Sequence, residues 1–195
     1  SLDDPKFLTL DRDKKTKEYL FSRREELGGF LPLRKVSEEK LITNKESFAD
    51  FDKKLDREQS TTMVFVRLLT KLLRDSSIGQ RVVPIVPDEA RTFGMDALFR
   101  QFGIYSSEGQ KYEPEDADKV MFYRESESGI MLEEGINEAG AFSAWLALAT
   151  SYSNNNLPMV PFYIFYSMFG FQRIHDLAWA AGDSRAKGFL LGATS

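Results

Sequence analysis

The sequence predicts an α/β fold, a mainly parallel sheet with helices on both faces, preceded by a charged N-terminal helical and extended arm. Three observations carry this expectation. Helix-like and strand-like segments alternate from residue 60 onward. The segment MVPFYIFYSMFGF is apolar on both alternating faces, with Val160, Phe162, Ile164 and Tyr166 on one and Pro161, Tyr163 and Phe165 on the other. No Asp, Glu, Lys or Arg occurs from Ala139 through Gln172. A strand apolar on both sides is covered on both sides, and strands alternating with helices build such a sheet.

Taken in order, the elements follow from charge and spacing. Residues 1–60 hold 14 basic and 14 acidic side chains, against 12 and 16 in the rest, which assigns residues 1–58 to the arm and 59–195 to the α/β domain. KKTKEYLFSRREEL has helical spacing through Tyr19, Leu20, Arg23, Arg24 and Leu27, and Gly28-Gly29 stops it. FLPLRKVSEEKLIT reads as extended, with a short helix from Ser47 to Leu55. STTMVFVRLLTKLLRD begins with capping residues and repeats apolar side chains at Val64, Leu68, Leu72 and at Phe65, Leu69, Leu73, the period of an amphipathic helix. RVVPIVPDEA is a short β-branched strand closed by Pro87, and KVMFYRE and GIMLEEG are further strands. A helix over INEAGAFSAWLALATSY, the doubly apolar strand, a helix over QRIHDLAWAAGD stopped by Gly182, and a last strand in GFLLGAT complete the pattern.

Composition narrows the function classes. A net charge of −4 offers no basic footprint for nucleic acid. The absence of cysteine removes disulfides and thiolate chemistry and favours a reducing, cytoplasmic location. SLDDPKF lacks a signal-peptide pattern. The uncharged run is broken by SYSNNN, Pro158 and Pro161, so neither half reaches the roughly 20 apolar residues of a membrane span. Walker-type loops, GxGxxG and metal-ligand clusters are missing, and the single histidine, His175, has no partner for a metal or a triad. The chain begins without Met and stops after a strand-like segment, the pattern expected of a piece of something larger.

Ligands of parallel α/β sheets bind beyond the carboxyl ends of the strands, and Asp88, Glu89, Glu138 and the residues after Tyr166 fall near that edge. A helix from about Asn137 puts Glu138, Phe142, Trp145 and Ala149 on one stripe. Two readings of Glu138 stand. An acid in a first helical turn meets the positive end of the helix dipole, worth about 0.3–1 kcal/mol. Alternatively, a desolvated carboxylate with a raised pKa shares a proton with a ligand, for which Ala139, Gly140 and Ala141 leave room. Asp88 and Glu89 are either the first acids of a capped helix or reacting groups. Tyr166 and Phe169 are either core aromatics or a flat wall for a heteroaromatic ring, with Arg173 nearby. These residues alone identify no reaction.

The strings VPDEARTFGMDALFRQFGIYS, LEEGINEAGAFSAWLALATSYSNNNLPMVPFYIFYSMFGFQRIHDLAWAAGD and GFLLGATS closely resemble the central region of the homodimeric bacterial pyruvate dehydrogenases, the thiamine-diphosphate-dependent first components of pyruvate dehydrogenase complexes. The resemblance covers nearly everything after about residue 60, and it separates the chain from transketolase, whose motifs differ. It implies a pyrimidine-binding, transketolase-like domain in which Glu138 of GINEAG hydrogen-bonds a ring nitrogen of the cofactor's aminopyrimidine and stabilises its imino tautomer. Pyruvate would be decarboxylated and its two-carbon unit passed to a lipoyl group on the acetyltransferase component. By the same resemblance Phe169 looks like the aromatic that stacks on the pyrimidine, Tyr166 like a wall of the site, and Asp88 and Glu89 like acids near the reacting centre. Arg173 matches the family string without a step of its own. Family members bind the diphosphate and Mg2+ through a separate, preceding domain and complete the site across a dimer interface. That signature is absent from this chain, as is the histidine-rich loop that follows GATS in the family. The expectation is a half-site with little decarboxylating activity by itself. A non-catalytic dimerisation or interaction module and a split subunit needing a diphosphate-binding partner are the alternatives.

Overall fold

The computed structural model describes residues 13–30, 37, 39–54, 57–87, 90–115 and 123–193, with the side chain of Phe169 excepted. Asp88 and Glu89 lie outside the described residues, as do most of the expected arm at 31–38, Leu55, and residues 119–122 of the expected strand KVMFYRE. Contacts group the chain into two compact units, Ser1–Lys35 and Val36–Ser195. Charge marked a boundary near residue 58; by contacts, residues 39–54 go with the larger unit.

The first unit is built on helix α1 (Lys14–Glu26). Asp13 caps it, accepting hydrogen bonds from the backbone N–H groups of Lys15 and Thr16 at 3.1 and 3.3 Å. Gly28 and Gly29, at φ 93° and 115°, end it in a conformation that L-residues avoid. None of its residues is buried. An edge-on contact between Phe21 and Phe30, 4.8 Å between ring centres, folds the following residues back onto it.

The second unit is a parallel α/β domain. Its main sheet has strand order β4-β1-β5-β6, with β1 spanning Val82–Val86, β4 Leu132–Glu133, β5 Val160–Tyr166 and β6 Phe189–Ala193. Every pairing in it is parallel, Val82 opposing Val160, Ile85 opposing Leu132, and Tyr163 opposing Leu190. A two-residue pair, β2 (Ile104–Tyr105) with β3 (Glu125–Ser126), is joined to this region by a bridge from Ile104 to Met131. Two hydrophobic cores lie on the two faces of the sheet. One packs Val66, Leu69 and Leu73 of α2 (Thr61–Arg74) and Leu98 and Phe99 of α3 (Asp96–Phe102) on Val82, Val86, Phe162 and Ile164. The other packs Phe142, Trp145 and Ala149 of α4 (Glu138–Asn154) and Ile174 and Ala181 of α5 (Ser167–Asp183) on Val83, Ile85, Tyr163 and Phe165. The alternation along β5 assigns its side chains to the two cores in turn, as a period of two requires.

Several elements differ from the expectations. The buried stripe of α2 runs through Val66, Leu69 and Leu73, while Val64, Phe65, Leu68 and Leu72 are only half-buried. The short helix near residue 47 is a 3₁₀ turn over Lys45–Phe51, capped by Asn44. A helix, α3, forms within MDALFRQFGIYS, starting at Asp96 rather than at the capped start considered for Asp88 and Glu89, and is followed by a strand, β2, that was not anticipated; Gly103, at φ 70°, makes the turn between them. The last helix begins at Ser167, five residues before the expected Gln172, so β5 passes into α5 with no loop between them. Gly182 lies within the final turn of that helix rather than ending it.

The abrupt turn from β5 to α5 rests on Gly170. A Cβ at this position would stand 2.5 Å from the ring of Phe165, so only the bare backbone lets the first turn of α5 lie on the aromatic core. Gly182, near the other end of the helix, has nothing within 4 Å of a Cβ position. The two glycines of one helix therefore respond to alanine with opposite signs. Gly170→Ala should destabilise the domain by about 1–3 kcal/mol through overpacking. Gly182→Ala should be neutral or stabilising by about 0.5–1 kcal/mol through helix propensity. Urea unfolding midpoints of the two variants check this directly.

Candidate functional site

All four strands of the main sheet run the same way, so their carboxyl ends share one edge. After a four-residue connection from β4, α4 opens at this edge with Glu138 as its first residue. Asn137 caps the helix, its side-chain oxygen accepting from Gly140 N–H at 3.0 Å. Gly140 makes this possible, because a Cβ there would stand 2.5 Å from the Asn137 amide. The first turn thus holds Glu138 in place through a cap and a glycine, both local in sequence.

The Glu138 side chain is 13% exposed, and its Oε1 is hydrogen-bonded and ion-paired with Arg173 Nη1 on the second turn of α5. One turn further along α4, Phe142 is fully buried and meets Tyr163 edge-on, with 5.4 Å between ring centres. Trp145, also on this stripe, donates its indole N–H to the Pro161 carbonyl at 3.3 Å. The Glu138, Phe142, Trp145 and Ala149 stripe expected from spacing is therefore present, with the acid at its solvent end. Tyr163 is fully buried, and its ring also stacks on Phe165 at 5.0 Å. Its hydroxyl is buried and has no hydrogen-bond partner among the described residues. Burial first, then the charge of Glu138, pushes the Tyr163 phenol well above its ordinary range.

Tyr166 is also at the carboxyl edge but packs toward the α2 and α3 side, against Phe93 at 4.8 Å. It borders an open cleft of about 330 Å³ with Ser60, Thr62, Met63, Arg91 and Gly94. Phe169 lies in the first turn of α5, with its side chain outside the description. His175 is exposed beside Asp176, its Nε2 3.1 Å from that carboxylate. Of the candidate residues, the structure joins Glu138 to Arg173 and puts Tyr166 against the other core. Among the described residues, no group of three or more acids and histidines is arranged to hold a metal ion, and no helix is long and apolar enough to cross a membrane.

Two participants in the Glu138 neighbourhood escaped the sequence reading. Sequence puts Arg173 near the Tyr166 and Phe169 wall with no role of its own, whereas in the structure it pairs with the acid 35 positions earlier. One signal could have found it: Glu138 and Arg173 are the two charged residues that bracket the uncharged run. Tyr163 gave no signal, because a tyrosine in an apolar strand does not announce where its hydroxyl points.

A parallel α/β domain with an acid opening a helix at the carboxyl edge of its sheet is an architecture for ligand binding. The chain belongs to the family described as the pyruvate dehydrogenase E1 component middle domain, whose model matches residues 42–195. It is 63% identical to the pyruvate dehydrogenase E1 component of Pseudomonas aeruginosa over 183 residues, covering 91% of this chain and 20% of that protein. It is 55% identical to the protein of the same name from Cupriavidus necator over 197 residues, covering 100% of this chain and 22% of that one. The corresponding protein of Escherichia coli strain K12 is 53% identical over 191 residues, covering 97% and 22%. The chain thus spans about a fifth of the length of the curated relatives it matches.

The buried phenol has a consequence for stability at alkaline pH. In the unfolded chain a tyrosine loses its proton near pH 10, while Tyr163 in the fold keeps its proton to higher pH. Above about pH 10 the folded state therefore binds more protons, and its stability falls as pH rises, by up to about 1.4 kcal/mol per pH unit for one such group. Tyr123, raised chiefly by burial and next by the charge of Glu133, adds a second contribution of the same sign. Urea unfolding between pH 8 and 11 should show this decline, and Tyr163→Phe should make it shallower.

Proposed function

We propose that this chain supplies the aminopyrimidine-binding half of the thiamine diphosphate site in a pyruvate dehydrogenase E1 component, with Glu138 sharing a proton with a ring nitrogen of the pyrimidine. The observation that carries this reading is the position of Glu138: mostly desolvated, at a helix start on the carboxyl edge of a parallel sheet, in a chain of this family. Thiamine diphosphate, when bound, supplies the electron sink for decarboxylation. The protein's part is to set the protonation and orientation of the pyrimidine. A carboxylate fits that task because it can accept a hydrogen bond when ionised and donate one when protonated.

In this reading Phe169 stacks on the pyrimidine, Tyr166 forms a wall of the site, and Asp88 and Glu89 stand near the reacting centre. The diphosphate and its Mg2+ are held by another part of the enzyme. Pyruvate is the substrate, a second copy of the subunit completes the site, and a lipoyl-bearing acetyltransferase component receives the acetyl group. The location is cytoplasmic. Residues 59–195 then form the pyrimidine-binding domain, and residues 1–58 a charged helix and arm of which the part from Val36 on packs with that domain.

A second reading, a folded interaction module without catalysis, draws on the outer surface of α5. Met168, Phe171 and Trp179 are 78%, 52% and 76% exposed there, an unusual display of large apolar side chains. The two readings part in one titration. Thiamine diphosphate and Mg2+ are added to this chain with and without the remainder of an E1 component, while binding and carbon dioxide release are followed. The chain by itself should turn over little or no pyruvate. In the complemented enzyme Glu138→Ala should lower turnover by about 10²–10⁴-fold, the usual worth of a positioned acid or base, with the fold retained. Unchanged turnover would remove Glu138 from its role.

A further inference from the structure

The Tyr163 hydroxyl is a buried polar group that the reading above does not use. Its ring cannot swing away, because Phe142 meets it edge-on at 5.4 Å and Phe165 stacks on it at 5.0 Å. Its exposure is zero, and the hydroxyl has no hydrogen-bond partner among the described residues. A buried hydroxyl without a partner is costly and rare in native proteins, so such a group calls for a function or a partner reached by a small movement.

A candidate partner is on the neighbouring helix. Glu138 and Phe142 are four residues apart on one face of α4, and it is Phe142 that touches the Tyr163 ring. The carboxylate belongs to the same side of the sheet, and its charge is felt at the phenol. Arg173 engages Oε1 of Glu138, and a carboxylate has acceptor capacity on both oxygens. The phenol keeps its proton at neutral pH, so it can act there as a donor.

We propose that the Tyr163 hydroxyl is the second donor to the Glu138 carboxylate and so sets the orientation in which that acid meets the pyrimidine. Tyr163 is then a positioning residue: it touches neither cofactor nor substrate and acts through Glu138. The proposal rests on the assignment of Glu138 as the pyrimidine's partner. The aromatic contacts fix the hydroxyl from the strand side, Arg173 holds the acid from the α5 side, and Glu138 turns between two donors of different character. A guanidinium at the surface is replaceable by a ligand, whereas a phenol locked in the core is not.

The test uses a full-length E1 chain carrying this region, as four proteins: unaltered, Tyr163→Phe, Glu138→Gln and the double variant. Thiamine diphosphate affinity in the presence of Mg2+ is measured for each, together with kcat, KM for pyruvate and the urea midpoint. Tyr163→Phe should weaken cofactor binding and lower kcat, each about tenfold, the worth of one hydrogen bond to a charged group. It should leave KM for pyruvate in place and keep a single cooperative urea transition, since the ring and its packing remain. In the Glu138→Gln background the same change should have a clearly smaller effect on cofactor affinity, because the amide oxygen still accepts but carries no charge. Equal weakening in both backgrounds, or no weakening in either, would overturn the proposal. If Glu138→Gln by itself leaves affinity and turnover unchanged, the assignment of Glu138 fails and Tyr163 falls with it. A crystal structure of the unaltered full-length chain with thiamine diphosphate decides independently of how the variants fold. An Oη-to-carboxylate separation of about 2.5–3.0 Å supports the contact, and one beyond about 4 Å excludes it.

Discussion

The larger unit depends on β5 being covered on both faces. Side chains of one strand enter two separate cores, Phe162 and Ile164 on one side and Tyr163 and Phe165 on the other. Burying each such side chain contributes about 1.5–3 kcal/mol, so neither helical layer can be removed without exposing aromatic surface. The same strand is flanked in the sheet by β1 and β6. At the β6 edge Phe162 stacks on Phe189 at 4.7 Å with the rings nearly parallel. With β5 covered on both faces and paired on both edges, the helix that follows starts at its carboxyl end without a loop.

The absence of charge between Ala139 and Gln172 follows from the same constraint. This run contains nearly all of α4, all of β5 and the start of α5. Each of these elements presents a face to the core built around β5. The charged residues at its two ends, Glu138 and Arg173, are paired with each other. Such a pair at a half-exposed arginine contributes little to stability, about 0–1 kcal/mol. Its value is orientational: it engages one carboxylate oxygen of an acid at the mouth of the core.

The parts of the fold legible from sequence are those with a strong period and a buried face. Val82–Val86, α4 and β5 could be placed because branched, apolar or uncharged runs leave one arrangement for their side chains. The helix α3 and the strand β2 are short, two turns and two residues, and too brief to establish a period. The start of α5 was missed because SMFGF is as apolar as the strand before it. Its boundary is set by the tertiary fit of Gly170 against Phe165, a contact that propensity does not encode. At the site, Glu138 was legible because its stripe is local, whereas the Glu138–Arg173 pairing and the burial of the Tyr163 hydroxyl arise from packing between elements.

The two tryptophans of the chain occupy opposite environments. Trp145 is 3% exposed, wedged between α4 and the sheet with its indole bonded to the Pro161 carbonyl, whereas Trp179 is 76% exposed on α5. Indole emission moves to shorter wavelength as water is excluded, so the protein carries two natural fluorophores that report on different events. The inner one changes colour when the core opens. The outer one changes only when something comes to lie against α5, which allows folding and association to be followed in one cuvette without a label.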